Sequence, residues 1–530
     1  MLLNREQYHL AYKWILIFIA VSLPLSRFTL SLGIISLAGA WILHWKWKEK
    51  LALFKKKKEL WVFLSIYLIH FIGMIYSENQ SYGWHDIQKK IPLLILPLVI
   101  GTSTPLKHGE LKLLLHYFIG AIFVGSLVSW AALLGFGNHE ITDTRDISIF
   151  ISHIRFALMV NIAFFAGIYL FLDSIDKKIN WIANLYLFML LWLGTFVFVL
   201  RSFTGILIFL AGLYMLIFLA LRYKKIARGK ILLKTALYIM PLFILAYTGW
   251  AIYKFYNVEP VHPYEIDKLT ARGNAYCHDF SSAELENATH VWLYVNEKET
   301  RETWNKISDY KYDSLDGKGQ KIKYTLIRYL TSRGLRKDAV GVNQLSEKDI
   351  KNIELGYANY IHAKKFSVYA RLYTIIWEID RFIKGYNPGG HSVTQRILYL
   401  KSALEIIEEH FWIGTGTGDV QNAFENVYDT FDFKLGERWQ RRAHNQYVTF
   451  LLTFGIFLWT WILFALVYPP LKNNKFSEYM FFFFFLISFA SMLNEDTLET
   501  HVGASMFAFF YSLLIWGSSS KKIKKLFEHE

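Results

Sequence analysis

Three basic residues sit where the sequence makes charge expensive. Arg201 lies in TFVFVLRSFTG, flanked by apolar residues, and burying a guanidinium costs several kcal/mol unless an anion meets it. It either snorkels to phosphate headgroups or builds an anion site. Arg396, in SVTQRILYLKSALEIIEEH, shares a helical phase with Leu400 and Ala403 and so falls on a packing face, where a charge wants a partner. His444 follows Arg438, Arg441 and Arg442 and opens the apolar run HNQYVTFLLTFG. A histidine in that place is either an interfacial hydrogen bonder or a general base. The chemistry open to these types is anion binding by guanidinium and proton transfer by imidazole.

Other charged groups carry weaker signals. His153 and Arg155, in ISHIRF, open another apolar run, where boundary residues commonly anchor a helix at the interface. Glu495, Asp496 and Glu499 form an acidic rim between the last two apolar runs, open to three roles: orienting a base, pairing with the arginines or facing solvent. GTGTG, Gly414–Gly418, lacks the lysine of a phosphate-binding loop and reads as a turn through which the chain re-enters the membrane. No HExxH or paired-cysteine cluster occurs, and the scattered histidines lack ligand spacing, so neither a metal nor another cofactor is expected. The triplet Asn287, Ala288, Thr289 matches a glycosylation acceptor, a pattern that often arises by chance.

The elements that must hold these groups are membrane helices. Of the 530 residues, 54% are hydrophobic and 18% aromatic, against 19% charged; a soluble multidomain enzyme needs more polar surface, and a disordered chain would not keep such apolar runs solvated. A lone cysteine, Cys277, allows no intrachain disulfide. Apolar stretches near 12–26, 27–43, 60–76, 89–102, 113–136, 151–172, 181–200, 202–220, 232–252, 446–468, 479–494 and 502–517 predict an all-α polytopic protein of about twelve spans, each near the ~20 residues a crossing requires. The first run continues directly into the second without a small-residue cleavage site, so no cleavable signal peptide is expected.

With both termini cytoplasmic, the long basic runs fall inside: Lys46 to Lys58, Lys107 and Lys112, Lys177 and Lys178, Arg222 to Lys230, Lys472 and Lys475, and the tail lysines. Outside stay Lys89, Lys90, Arg145, Arg155 and Arg201. Much of the formal charge of +15 then faces the anionic inner leaflet, a topological role that implies contact with membrane lipids and no nucleic-acid partner. The predicted organisation is nine spans over 1–253, a mostly helical outer domain over 254–443, three spans over 444–520 and a basic tail over 521–530. Within the outer domain helices are expected from about 318 to 330, more clearly from 343 to 384, and from about 392 to 409, while 254–317 reads as irregular with short helices.

The arrangement resembles the O-antigen ligase and polymerase superfamily of bacterial inner membranes. The likeness covers most of the chain and is most specific from Ser392 to Gly455, where SVTQRILYLKSALEIIEEHFWIGTGTGDV and AHNQYVTFLLTFGIF look like the family's arginine helix, glycine turn and H-N-x-Y/F helix start. By that likeness Arg396 and His444 match the family's second essential arginine and its essential histidine. Arg201 resembles the first arginine, although Leu200 precedes it and the serine, Ser202, follows.

The resemblance implies a metal-independent, inverting glycosyltransferase at the periplasmic face. Its donor is a glycan on undecaprenyl pyrophosphate, and its acceptor is a lipid A core sugar or another glycan. His444 would take the acceptor proton while Arg201 and Arg396 neutralise the pyrophosphate. Arg155, Arg441 and Arg442 would hold phosphate or sugar, and Lys89 and Lys90 would guide the lipid headgroup. Trp292, Trp304, Trp377 and Tyr386 either stack on sugars or belong to the core. A polymerase would use the same donor and residues. A transporter of polysaccharide or lipid intermediates fits the span number, but the two halves share no pattern, and for a non-catalytic scaffold the three basic residues would be replaceable.

Overall fold

The computed structural model describes residues 4–136, 147–223, 231–258, 260–282, 284–364, 367–389, 391–430, 436 and 439–527. Arg145, Arg438 and the basic run 224–230 lie outside them. The chain forms two compact units, Met1–Lys234 with Gln395–Glu530, and Thr235–Thr394.

The first unit opens with α1 (Arg5–Leu25), started by an Asn4 capping box, and α2 (Arg27–Leu43); between them Ser26 is extended and its side chain caps α2. There follow α3 (Trp47–Lys56), α4 (Lys58–Ile75), α5 (Gln80–Lys90), α6 (Pro92–Thr102), α7 (His108–Leu133), α8 (His153–Asp176), α9 (Asn180–Val199) and α10 (Phe203–Tyr223). The bundle is built around α8, whose spanning segment is 83% buried and which packs on α7, α9, α10 and a later helix.

The chain enters the second unit on α11 (Ile231–Tyr256). A two-residue hairpin joins β1 (Leu285–Glu286) to β2 (Thr289–His290), and α12 (Glu297–Ile307), α13 (Ile322–Ser332), α14 (Ala339–Asn343), α15 (Glu347–Glu354) and α16 (Val368–Ile383) complete the unit. Each of these five helices except α13 starts on a capping side chain, from Asn296, Asp338, Ser346 and Ser367 respectively, which satisfies N–H groups the first turn leaves open. Trp304, Tyr312, Leu326, Tyr329, Val342 and Ile353 form one core, and Phe255 at the end of α11 packs with Ala370, Tyr373 and Ile376 of α16 in another. The expected sugar-stacking role does not suit Trp304, which is fully buried and donates to the Tyr310 carbonyl at 2.7 Å. Trp292 and Trp377 are half-buried and Tyr386 is exposed.

The chain then runs through α17 (Ser392–His410), α18 (Val420–Asp429), α19 (Gln446–Lys472), α20 (Tyr479–Ser491), α21 (His501–Ser512, continued by a wider turn to Gly517) and α22 (Ile523–Phe527). Within α19, Gly455 has φ 68° and breaks the helix, and a Cβ there would meet the Trp412 carbonyl oxygen at 2.3 Å. GTGTG is the partner of that break. Thr415 and Gly416 donate to the carbonyls of Leu452 and Thr453, and the Thr417 hydroxyl donates to the carbonyl of His70 in α4.

The expectation of twelve spans, with the large segment between the ninth and tenth, is corrected. Among the described residues eight helices are long and apolar enough to cross a membrane, or nine if α2 and α3, bent through 111°, count as one, and the helical unit falls between the seventh and eighth. The apolar stretch at 89–102 is divided at Ile91, leaving α6 with 11 residues, about 16 Å against the ~30 Å of a bilayer core. The stretch at 479–494 gives an α20 of 13 residues, and α21 is buried along almost its whole length. A helix buried all round is as apolar as a span, so hydropathy counted core helices as crossings. The five-Phe run is likewise a packed surface, with Phe481, Phe483 and Phe484 buried and Phe483 stacked on Phe165 at 4.4 Å. The chain is a polytopic membrane protein with a large extramembrane domain.

Candidate functional site

Because α20 stops at Ser491 and α21 starts at His501, residues 492–500 form a connecting segment inside the first unit, irregular but for one 3-10 turn at Thr497–Glu499. Such backbone is tolerated within a membrane protein only where protein or a water-lined cavity satisfies its polar groups. Here the start of α19 does so. The Gln446 N–H donates to the Met492 carbonyl at 2.9 Å, the Leu498 N–H donates to Gln446 Oε1 at 2.7 Å, and Gln446 Nε2 donates to Glu499 Oε1 at 2.9 Å. Thr449 Oγ1 donates to Asp496 Oδ1 at 2.7 Å. Gly503 lets the loop fold this tightly, since a Cβ there would lie 1.9 Å from the Thr497 oxygen.

This bracing fixes two carboxylates, and each gathers basic side chains. Glu495, only 7% exposed, accepts from Arg396 Nη2 at 3.1 Å and lies 3.7 Å from His444 Nδ1. Arg396, from α17, and His444, just ahead of α19, are therefore brought together by a carboxylate from a third element. His444 takes φ 49°, a left-handed conformation costly for a residue with a side chain, and its ring lies 5.7 Å from that of Tyr399. Asn445 then caps α19 through the N–H groups of Tyr447 and Val448.

The second carboxylate, Glu499, accepts from Lys90 Nζ at 2.7 Å and Arg442 Nη1 at 3.3 Å. Lys90 also pairs with Asp86 at 2.5 Å, and Arg442 donates to the Tyr82 hydroxyl. Burial opposes ionisation of Glu499, but Lys90 and Arg442 outweigh it and hold the carboxyl below its usual range. Lys90 is held charged in the same way: burial is outweighed by Asp86 and Glu499. Asp496 moves the opposite way, pushed up by burial and by the neighbouring Glu499 charge. Of the three roles open to the acidic rim, facing solvent is the one its geometry does not show.

The remaining sequence candidates separate. Arg155 is half-buried, its Nε has no hydrogen-bond partner among the described residues, and it feels the charges of Glu495 and Asp496. Arg201 sits at φ 49° in the turn between α9 and α10, exposed and without an ion pair to Glu495 or to any other described residue. Arg441 is exposed, its carbonyl accepting from Tyr428, and Lys89 lies 5.9 Å over the Tyr82 ring. Sequence reasoning did not single out Tyr82, Asp86, Gln446 or Thr449, whose types and spacing are ordinary. It flagged Glu495 only as one of three acids.

Residues 357–463 match the family model described as O-antigen ligase (Wzy_C), about a fifth of the chain. The matched stretch contains Arg396 and His444 and stops short of Glu495, and it supports membership in the ligase and polymerase superfamily. No curated protein matches the chain significantly.

Proposed function

We propose, for a chain that carries an O-antigen ligase domain, that it transfers a glycan from undecaprenyl pyrophosphate to an acceptor hydroxyl at the periplasmic face of the bacterial inner membrane, with both termini cytoplasmic. The observation that supports this reading best is the bridge from Glu495 to Arg396 and His444. With Nδ1 turned to Glu495, the other ring nitrogen, Nε2, is the one to receive the acceptor proton. The acceptor oxygen bonds to the anomeric carbon as the carbon–oxygen bond to pyrophosphate breaks, which inverts that centre. Glu495 is a positioning residue: it orients the ring and stabilises the imidazolium as it forms.

Arg396 shares its carboxylate with this base and takes charge from the departing pyrophosphate, a role for which a planar fork suits paired phosphoryl oxygens. Arg155, whose Nε has no partner among the described residues and which feels the charge of Glu495, is the next candidate. Arg201, exposed in its turn, would meet donor as it arrives. Lys90 and Arg442 are assigned a different part from phosphate binding: neutralised by Glu499 and Asp86, with the Tyr82 hydroxyl accepting from Arg442, they hold the catalytic loop.

The test uses purified protein, an undecaprenyl-pyrophosphate glycan and two acceptors, lipid A core and a second lipid-linked glycan. Transfer that His444→Ala abolishes, with folding intact, is expected; normal transfer by that variant defeats the reading. A product on lipid A core marks a ligase, and a lengthened lipid-linked glycan marks a polymerase.

A further inference from the structure

The second unit contains a cavity that the proposed chemistry does not use. Its volume is ≈ 530 Å³, within the ~300–1,000 Å³ of small-molecule sites. The hairpin turn and β2, the strip Gly334–Lys337 and the end of α11 form its walls.

Lys337 is the anomaly in that wall. It is 2% exposed, and its ammonium makes no hydrogen bond or ion pair among the described residues. Its backbone is pinned from both sides, the N–H donating to the Tyr294 carbonyl at 3.1 Å and the carbonyl accepting from Asn296 at 2.7 Å. The main chain that carries the ammonium is therefore held in place. An unpaired ammonium with so little access to water is disfavoured, and burial pushes this amine down to about 7. The described lining residues include Lys254, His290 and Arg336 but no carboxylate. Arg336 is already paired with Asp267 and lies over the Tyr294 ring, and Lys254 lies over the rings of Trp250 and Tyr369. Among the described lysines and arginines of the lining, Lys337 is the one with neither an ion pair nor a ring beneath it.

The backbone of the same wall is strained. Seven described residues other than glycine have positive φ, and three of them, Asn287, Ala288 and Tyr294, line this cavity. A two-residue hairpin loop accounts for the sign at 287 and 288, but Ala288 and Tyr294 carry side chains that disfavour it. Two of the other four are Arg201 and His444. Strain of this kind persists where surrounding structure holds it, and it gathers at functional sites. The Asn287–Thr289 triplet that resembles a glycosylation acceptor is this turn, with Asn287 Nδ2 donating to the Ser332 carbonyl at 2.7 Å.

We propose that the cavity binds an acidic saccharide, whose carboxylate or phosphate pairs with the Lys337 ammonium while Asn257 and His290 face its hydroxyls. The anionic part of this assignment rests on Lys337. The saccharide part rests on the reading of the protein as a glycan transferase and on a volume larger than a lone anion fills.

Calorimetric titration of the full-length protein in detergent tests it with three probes: tetragalacturonate, maltotetraose and inorganic phosphate. Tetragalacturonate is expected to bind, with maltotetraose about tenfold weaker or worse and Lys337→Met weakening only the acidic probe by a similar factor. Equal binding of the neutral probe, or unchanged binding by Lys337→Met, overturns the proposal, and phosphate binding as tightly as tetragalacturonate overturns its saccharide part. Should Lys337→Met misfold, acylation of wild-type Lys337 at neutral pH, read by mass spectrometry, decides: protection by tetragalacturonate alone supports the site, and no protection overturns it. His444→Ala should bind all three probes as wild type does, so a failed transfer reading and a failed binding site give different results.

Discussion

Replacing Glu495 by Gln keeps the shape of the side chain and an oxygen for Arg396 but removes the charge that faces His444. The separation is 3.7 Å, and opposite unit charges near 4 Å attract by about 4 kcal/mol at the effective dielectric of ~20 that suits partly buried pairs. The His444 side chain is 27% exposed and that of Glu495 10%, so solvent screening brings the useful part to roughly 2 kcal/mol. If that interaction grows in as the imidazolium forms, kcat should fall ~30-fold. Acceptor KM should move little, because the charge acts in the transition state and barely in the ground state. Initial rates of transfer from a fluorescent lipid-linked donor, with a melting curve as control for folding, measure this. A folded Glu495→Gln protein with kcat within about threefold of wild type would refute the positioning role.

Glu499→Gln should cost stability more than chemistry: Lys90 and Arg442 would face each other without their shared anion, a loss of ~3–5 kcal/mol visible in thermal unfolding. Because the folded Glu499 carboxyl is depressed, its contribution is present above the ordinary carboxylate range and lost as pH falls through the lower folded value; acid unfolding of wild type should therefore start lower than that of a variant whose Glu499 lacks Lys90. Gly455→Ala should fail to assemble, since the added Cβ meets the Trp412 oxygen at 2.3 Å in a left-handed backbone, and yield in detergent reads this directly. Arg201→Ala should leave the melting temperature within about 1–2 °C, because no ion pair is lost among the described residues, while raising donor KM.

The groups that carry the proposed chemistry were legible to different depths. Arg396 and His444 stand out because a charge on a packing face and a histidine at a helix start are costly locally. Glu495 was visible as an acid, but its partner is 99 residues away from it in sequence, and no periodicity reaches that far. Membrane character followed from composition, whereas the span count did not. The break at Ile91, the 13-residue α20 and the wholly buried α21 are decisions of packing, to which an average of hydropathy is blind. Lys337 gave no sign at all, because its isolation comes from the strip Gly334–Lys337 folding over a cavity.

Glu495 has one charge and two claimants. In the proposed reaction a pyrophosphate that draws Arg396 away leaves the whole carboxylate to hold the imidazolium at His444. Donor and acceptor then cease to be independent. The coupling falls on the transition state and barely on resting affinity, so acceptor KM should change little with donor present while proton transfer at His444 speeds up once donor has drawn Arg396 away. A carboxylate shared at rest thus becomes a timing device, reserving the base for enzyme that already holds its donor.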